Sequence, residues 1–384
     1  MLSTVDQAAP DRAASMTVPV YRASLPTAEA LLPYLRIIDA NRHYANRGEL
    51  VCRLEHRLRE IVAGPGCAVL TAASGTAALQ AAILAQSGRA TPSRPVALIA
   101  GCTFVATAMA AEACGYAPVF VDVDPATWEI DPDALRHHPS LGEAGIVLAV
   151  APYGRPHDHA AWQHFTAATG VPVVIDAAAS FEALMRAPNA LTGTVPVVLS
   201  FHATKSFATG EGGAVIWSDI AGLERCAQAL NFGFLYSRES RAAGFNGKMS
   251  EYHAAVGLAG LDRLGETLAG YGAANAAYAA AAEAHGIGRD VIVGPAIASN
   301  YALFRAVSAE EVRRICTGLA ATGIEHRFWY GPGVHREPYF ARRSPVALPQ
   351  AEALGDRLIG LPIFPGVETA TIEAIVRCIA RCRR

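Results

Sequence analysis

One lysine sets the chemistry to be explained. Lys205 lies in Ser200-Phe-His-Ala-Thr-Lys-Ser-Phe-Ala-Thr-Gly-Glu-Gly-Gly213, between the apolar run Val195-Pro-Val-Val-Leu199 and the short stretch Ala214-Val-Ile-Trp217. Apolar runs of this length, bounded by turn residues, read as buried strands. A lysine in a glycine-punctuated loop between two such strands is poorly placed to serve solubility alone. Its amine, withdrawn from bulk water, suits covalent carbonyl chemistry through a Schiff base. An exposed loop lysine is the competing reading, and residues elsewhere in the chain have to decide.

Asp176 closes the run Val171-Pro-Val-Val-Ile175. Ligands of parallel sheets bind at the carboxyl ends of the strands. A carboxylate there can keep a ring nitrogen protonated, or it can cap the helix that follows. Ser74-Gly75-Thr76 stands between a strand-like run, Cys67 to Thr71, and an alanine-rich helical stretch. Ser74 can cap that helix while the glycine leaves backbone N–H groups free to face an anion, although a plain cap accounts for the same residues. Phe104, in Thr103-Phe-Val-Ala-Thr-Ala108, follows another apolar run and can stack on a planar ring or fill the core. Gly244-Phe-Asn-Gly-Lys-Met-Ser-Glu251 introduces a helix with Ser250 as candidate cap, and Asn246 and Lys248 pass there for ordinary loop residues. The chain has neither GxGxxG nor GxxxxGK[ST], so dinucleotide and P-loop readings lack support. An anion cradle, a stacking aromatic, a carboxylate for a pyridinium and a lysine form the parts list for pyridoxal phosphate.

Those residues need a frame. At 384 residues the chain has room for two domains, and 52% hydrophobic against 17% charged residues implies a large core. A net charge of -2 argues against nucleic-acid or anionic-membrane partners. The eight cysteines are scattered, mostly in apolar surroundings and without a CxxC pair. That is the pattern of reduced core thiols in a cytoplasmic protein, not of a disulfide scaffold or zinc site. Met1 to Thr17 carries acidic residues and no continuous apolar core, so a signal peptide is not expected. Ile61 to Gly88 is free of charge, but Gly64-Pro-Gly66 and Ala73-Ser-Gly-Thr76 break it into pieces too short to span a membrane.

Amphipathic helices are expected over 26–40 and 50–63. Short strands (67–71, 96–100, 118–123, 145–150, 171–175) then alternate with helical stretches, the signature of a mainly parallel sheet covered on both faces. Beyond it the pattern predicts a long helix over 249–268 and an alanine-rich helix past Gly270. Strands near Val291 and Tyr301, a helix over 310–322, a strand over 324–329 and a terminal helix over 369–381 complete the expectation. The division expected is an N-terminal arm (1–25), a large domain (26–260) and a small α+β domain (261–384).

Across nearly its whole length the chain resembles the DegT/DnrJ/EryC1/StrS family of sugar aminotransferases. The resemblance runs from Ala45-Asn-Arg-Gly48 to Leu361-Pro-Ile-Phe-Pro-Gly366 and is carried by Ser74-Gly-Thr-Ala-Ala-Leu79, Thr103 to Ala108, Pro118-Val-Phe-Val-Asp-Val-Asp124, Tyr153-Gly-Arg-Pro156, Ser200 to Lys205, Gly210 to Gly213 and Met249-Ser-Glu251. It implies a pyridoxal-phosphate-dependent transferase of fold type I, with a mainly parallel seven-stranded sheet and a smaller C-terminal domain. By the same resemblance Lys205 carries the cofactor and Asp176 partners its ring nitrogen. Phe104 stacks on the ring, while Gly75, Thr76 and Ser200 hold the phosphate. Asn246 reaches the phosphate of a neighbouring subunit, which makes a homodimer with shared sites. Tyr330, His335 and Lys248 are implied as substrate contacts. The activity implied moves an amino group from an amino acid, glutamate foremost, to a nucleotide-linked keto sugar. A cyclitol or aminoshikimate-type ketone, or a non-catalytic regulator, are the alternatives. The chain departs from its relatives in having Ala179 where they commonly carry glutamine, and Asn246-Gly-Lys-Met249 where they often read Asn-Tyr-Arg-Met. A dehydratase branch of the family has histidine in place of the lysine, and Lys205 disfavours it here.

Overall fold

The computed structural model describes residues 18–343 and 345–383; most of the expected N-terminal arm lies outside them. Seven strands, β1 (Ala68–Ala72), β2 (Val96–Ala100), β3 (Ala117–Val121), β4 (Ala144–Val150), β5 (Val173–Asp176), β6 (Val197–Ser200) and β7 (Gly213–Trp217), form one sheet in the order β1-β7-β6-β5-β4-β2-β3. All neighbours pair in parallel except β7, which is antiparallel to both β6 and β1. The exception has a local cause. Residues 201–212 join β6 to β7 without a helix, and backbone bonds from Phe201 to Gly212 and from Ala203 to Gly210 fold the link on itself, so the chain turns straight back. Lys205 rides in that return.

β2, β4 and β5 are buried at every residue, as strands covered on both faces are. The helix Gly75–Ser87 is equally submerged. Its buried residues (Ala77, Ala78, Leu79, Ala81, Ala82, Ile83, Ala85) go all the way round, and small side chains let it lie close to its neighbours. The uncharged run that imitates a membrane segment is therefore the inside of this sheet-and-helix core. No helix among the described residues is long and apolar enough to cross a membrane. The helix Glu49–Val62 shows the contrasting pattern, burying Leu50, Leu54 and Leu58 on one stripe.

A second hydrophobic core gathers Tyr271, Tyr278, Phe304, Ile315, Leu319, Ile359, Ile372 and Ile375. It surrounds a small antiparallel sheet of β8 (Val291–Ile292), β9 (Leu303–Arg305) and β10 (Leu358–Gly360), ordered β10-β9-β8. Two expectations need correction. The long helix over 249–268 is two helices, Glu251–Asp262 and Leu264–Ala284, parted at Arg263, whose φ of -111° and ψ of 9° leave the helical region. Residues 324–329 form no strand; they make single bridges, Ile324 to Val18 and Arg327 to Gly360, before the chain turns toward the large sheet. Conversely β10 and the helix Ile220–Leu230 are additions the pattern did not suggest.

Candidate active site

The parallel strands end along one rim. There Ser74, Gly75 and Thr76 (beyond β1), Thr103 and Phe104 (beyond β2), Val150 (β4), Asp176 (β5) and Ser200 (β6) line a cavity of about 390 Å³, with Lys205 among them.

Asp176 is 6% exposed, and both its oxygens are held. Oδ2 accepts from the Thr107 hydroxyl at 2.6 Å, and Oδ1 from the Ala178 N–H at 3.1 Å. Thr107 has one proton to give, so the 2.8 Å contact with Thr103 is donated by Thr103. Burial pushes the carboxyl above its usual range, while the two hydrogen bonds and the charge of Lys205 pull it down. A carboxylate so deep and so firmly oriented is ready for a cationic partner that repays its desolvation.

Lys205 is half-buried, and its Nζ donates to the Tyr301 hydroxyl at 3.4 Å. The loop carrying it is knotted by backbone bonds from Phe201 to Gly212 (2.8 Å), Ala203 to Gly210 (2.9 Å) and Lys205 to His202 (2.9 Å). Gly210 sits at φ +85°, where a side chain would be strained. Phe207 anchors the loop by stacking on Phe181 and meeting Phe201 edge-on. Asn300 donates to the Thr204 carbonyl at 3.0 Å.

The cradle is equally specific. Ser74 accepts from the Ala77 N–H at 3.0 Å and caps the helix. A Cβ on Gly75 would lie 2.8 Å from Cβ of Ser200, so only glycine lets these two segments touch. The first-turn N–H groups of a helix have no partner within it, and here they face the cavity beside the Ser200 hydroxyl, an arrangement made for a phosphate. Phe104 is 58% exposed at the helix entrance, so it is not a core side chain; its face is open to the cavity.

Tyr330 lines the cavity, its hydroxyl accepting from the Tyr153 N–H at 3.1 Å. Burial raises that hydroxyl well above the ordinary tyrosine range. Tyr153 itself holds a left-handed φ of 56° and packs against Trp128, Tyr301 and Tyr330, so the whole aromatic wall is fixed at one hub.

Three residues lie elsewhere. His335 is 1% exposed, its Nε2 3.1 Å from Glu352 and its ring beside Phe120; it is a core histidine that does not line the cavity. Lys248 donates to Asn231 at 2.8 Å and lines a separate pocket with Arg47 and Tyr236. Asn246 is exposed, bridged through its backbone to Asn231. Within one chain neither reaches the cavity.

Sequence reasoning passed over Tyr301, Arg327, Trp329, His202 and Glu211, all of which line it. It also missed Thr107, whose four-residue spacing from Thr103 at a helix start was the available signal. Among the described residues no group of three or more His, Cys, Asp or Glu could hold a metal.

The donor set fits pyridoxal phosphate on each count: N–H groups and hydroxyls for its phosphate, a buried carboxylate for its ring nitrogen, an aromatic face and an amine. Fold and site together define a pyridoxal-phosphate-dependent aminotransferase of fold type I. The model of the DegT/DnrJ/EryC1/StrS aminotransferase family matches residues 27–380, and the chain belongs to that family. It is 32% identical to protein Rv3402c of Mycobacterium tuberculosis over 372 residues, covering 94% of this chain and 89% of that one. It is 28% identical to the UDP-2-acetamido-2-deoxy-3-oxo-D-glucuronate aminotransferase of Pseudomonas aeruginosa, covering 85% and 89%. Among solved structures it resembles DesI, crystallised in the presence of its TDP-sugar product, with a TM-score of 0.81 and 27% identity over 96% of this chain and 94% of that one.

Proposed function

We propose that the protein moves the amino group of an amino acid, glutamate foremost, onto the ketone of a nucleotide-linked sugar. The observation that carries this is the convergence of Lys205, Asp176 and the Gly75–Thr76 cradle on one cavity, in a chain similar to enzymes named for such sugars. Bound there, pyridoxal phosphate supplies an electron sink for the carbon that gains or loses nitrogen. Lys205 holds the cofactor at its amine and then moves a proton as base and acid. Asp176 keeps a proton on the ring nitrogen, with Thr107 and the Ala178 N–H fixing its orientation. The backbone of Gly75 and Thr76, the Thr76 hydroxyl and Ser200 take the phosphate, and Phe104 covers the ring. Tyr330 belongs to the wall that meets the substrate.

Asn246 and Lys248 act across a homodimer in this reading, each reaching the neighbouring copy's site. The surface around them favours it: Tyr236 is 88% exposed, Phe232 48%, and Tyr44 and Tyr252 stack on each other in the open. Monomeric proteins seldom leave such aromatic patches uncovered. The chain works in the cytoplasm, with a large domain over 26–260 and a small one over 261–384.

The test is spectroscopic. Purified protein should absorb at roughly 400–430 nm, as the bound cofactor does. Glutamate should remove that band, and a nucleotide-linked keto sugar should restore it. Restoration only by a cyclitol ketone would move the substrate class, and no response to any amino acid would remove the aminotransferase reading.

A further inference from the structure

The ionisable side chains lining the cavity are Asp176, Lys205, His202, Glu211, Arg327 and the tyrosines 301 and 330. Most of the charge is already matched. Asp176 feels the charge of Lys205, and His202 Nε2 stands 3.7 Å from Glu211. Arg327 is the exception. Its guanidinium pairs with no carboxylate among the described residues; it lies over the Trp329 ring at 5.2 Å and the Tyr21 ring at 5.6 Å. Stacking of this kind occupies the faces of a guanidinium and leaves its N–H edges free.

The position is built. The Arg327 N–H donates to the Gly360 carbonyl at 3.0 Å and its carbonyl accepts from the Gly360 N–H at 2.7 Å. A Cβ on Gly360 would lie 2.3 Å from Trp329 Nε1, so the glycine is what lets the indole sit beneath the arginine. Trp329 meets Tyr301 edge-on at 5.4 Å, and Tyr301 receives the Lys205 amine. One continuous wall thus links the unmatched guanidinium to the reactive nitrogen.

We propose that Arg327 receives an anionic group of the reactants, binding it edge-on as guanidinium binds carboxylate or phosphate. The inference rests on the aminotransferase reading and names what that site selects. Two sources present this chemistry: the carboxylate of the amino donor, and the diphosphate of a nucleotide-linked acceptor.

The experiment uses the cofactor-loaded protein and two probes without a reactive group, glutarate and thymidine diphosphate. Their dissociation constants are read by calorimetry and by tryptophan fluorescence, to which Trp329 contributes. In Arg327→Gln one probe should weaken about tenfold or more, with partial recovery in Arg327→Lys. Loss confined to glutarate assigns the guanidinium to the donor carboxylate; loss confined to thymidine diphosphate assigns it to the nucleotide. Both probes binding Arg327→Gln within about twofold of wild type overturns the proposal, as does wild type that binds neither while still responding to glutamate. The visible band of Arg327→Gln, unchanged when the site is intact, separates lost anion recognition from a collapsed site. Failure of the underlying reading shows elsewhere, as wild type whose band no amino acid alters.

Discussion

Two buried polar sites in this molecule are built on opposite terms. Asp176 keeps both oxygens hydrogen-bonded and faces a lysine across a cavity. His157 and His159, at the start of the helix His159–Thr169, are 4% and 3% exposed, and three of their four ring nitrogens have no protein partner. Only His157 Nε2 is bonded, to the Leu191 carbonyl at 2.9 Å. The first site is a charge held in place for use. The second is a pair of neutral rings stored in the core. Burial without partners costs stability and directs nothing, whereas burial with partners gives a carboxylate one orientation and one task.

Breaking the first site should have the largest effect. Asp176→Asn keeps the shape but removes the charge that, in the function proposed above, would hold a proton on the ring nitrogen. Turnover should fall roughly 10²–10⁴-fold with little change in fold, checked by kcat beside circular dichroism.

Acid should break the second site next. Burial holds His157 and His159 down to about 4, against 6.5 for an unhindered imidazole. The unfolded chain therefore takes up protons that the folded one refuses. Their stabilising share is full above pH 6.5 and is lost as pH falls toward 4. Burial also pushes nearby Glu129 up to about 8, which works in the opposite sense as pH falls. The pair's share is therefore the difference in urea stability between wild type and a His157→Asn/His159→Gln double variant. That difference should shrink by on the order of 6 kcal/mol from pH 7 to pH 4, about 3 for each ring.

Gly75→Ala drives a methyl group against Ser200 in the cradle. Phosphate-dependent retention of the cofactor, followed by its absorbance on dialysis, should weaken by roughly 1–3 kcal/mol. Tyr301→Phe is the mildest change. It removes one long hydrogen bond to Lys205, worth about 1 kcal/mol, so the rate should fall only severalfold. Its clearer signature is a shifted pH dependence of the visible band.

The same contrast explains what could be read from the sequence. Lys205, Asp176, Gly75 and Phe104 were legible because each sits just past a short apolar run, and strand ends are where such folds bind ligands. The strands themselves showed as uninterrupted Val, Ile and Ala. The opposite wall was not legible. Tyr301, Arg327 and Trp329 come from irregular segments in the C-terminal part of the chain, with no periodicity to announce them, and they enter the site through tertiary packing alone. His335 misled for the converse reason. The family resemblance put it at the substrate entrance, but Glu352 and Phe120 hold it inside.

The central claim is that Lys205 is the cofactor's point of attachment. Borohydride reduction of the purified yellow protein, followed by peptide mass spectrometry, tests it without any substrate. The account predicts the reduced cofactor's mass on the peptide containing Lys205, and its absence from Lys205→Ala. The mass on another lysine, or on none, would contradict it.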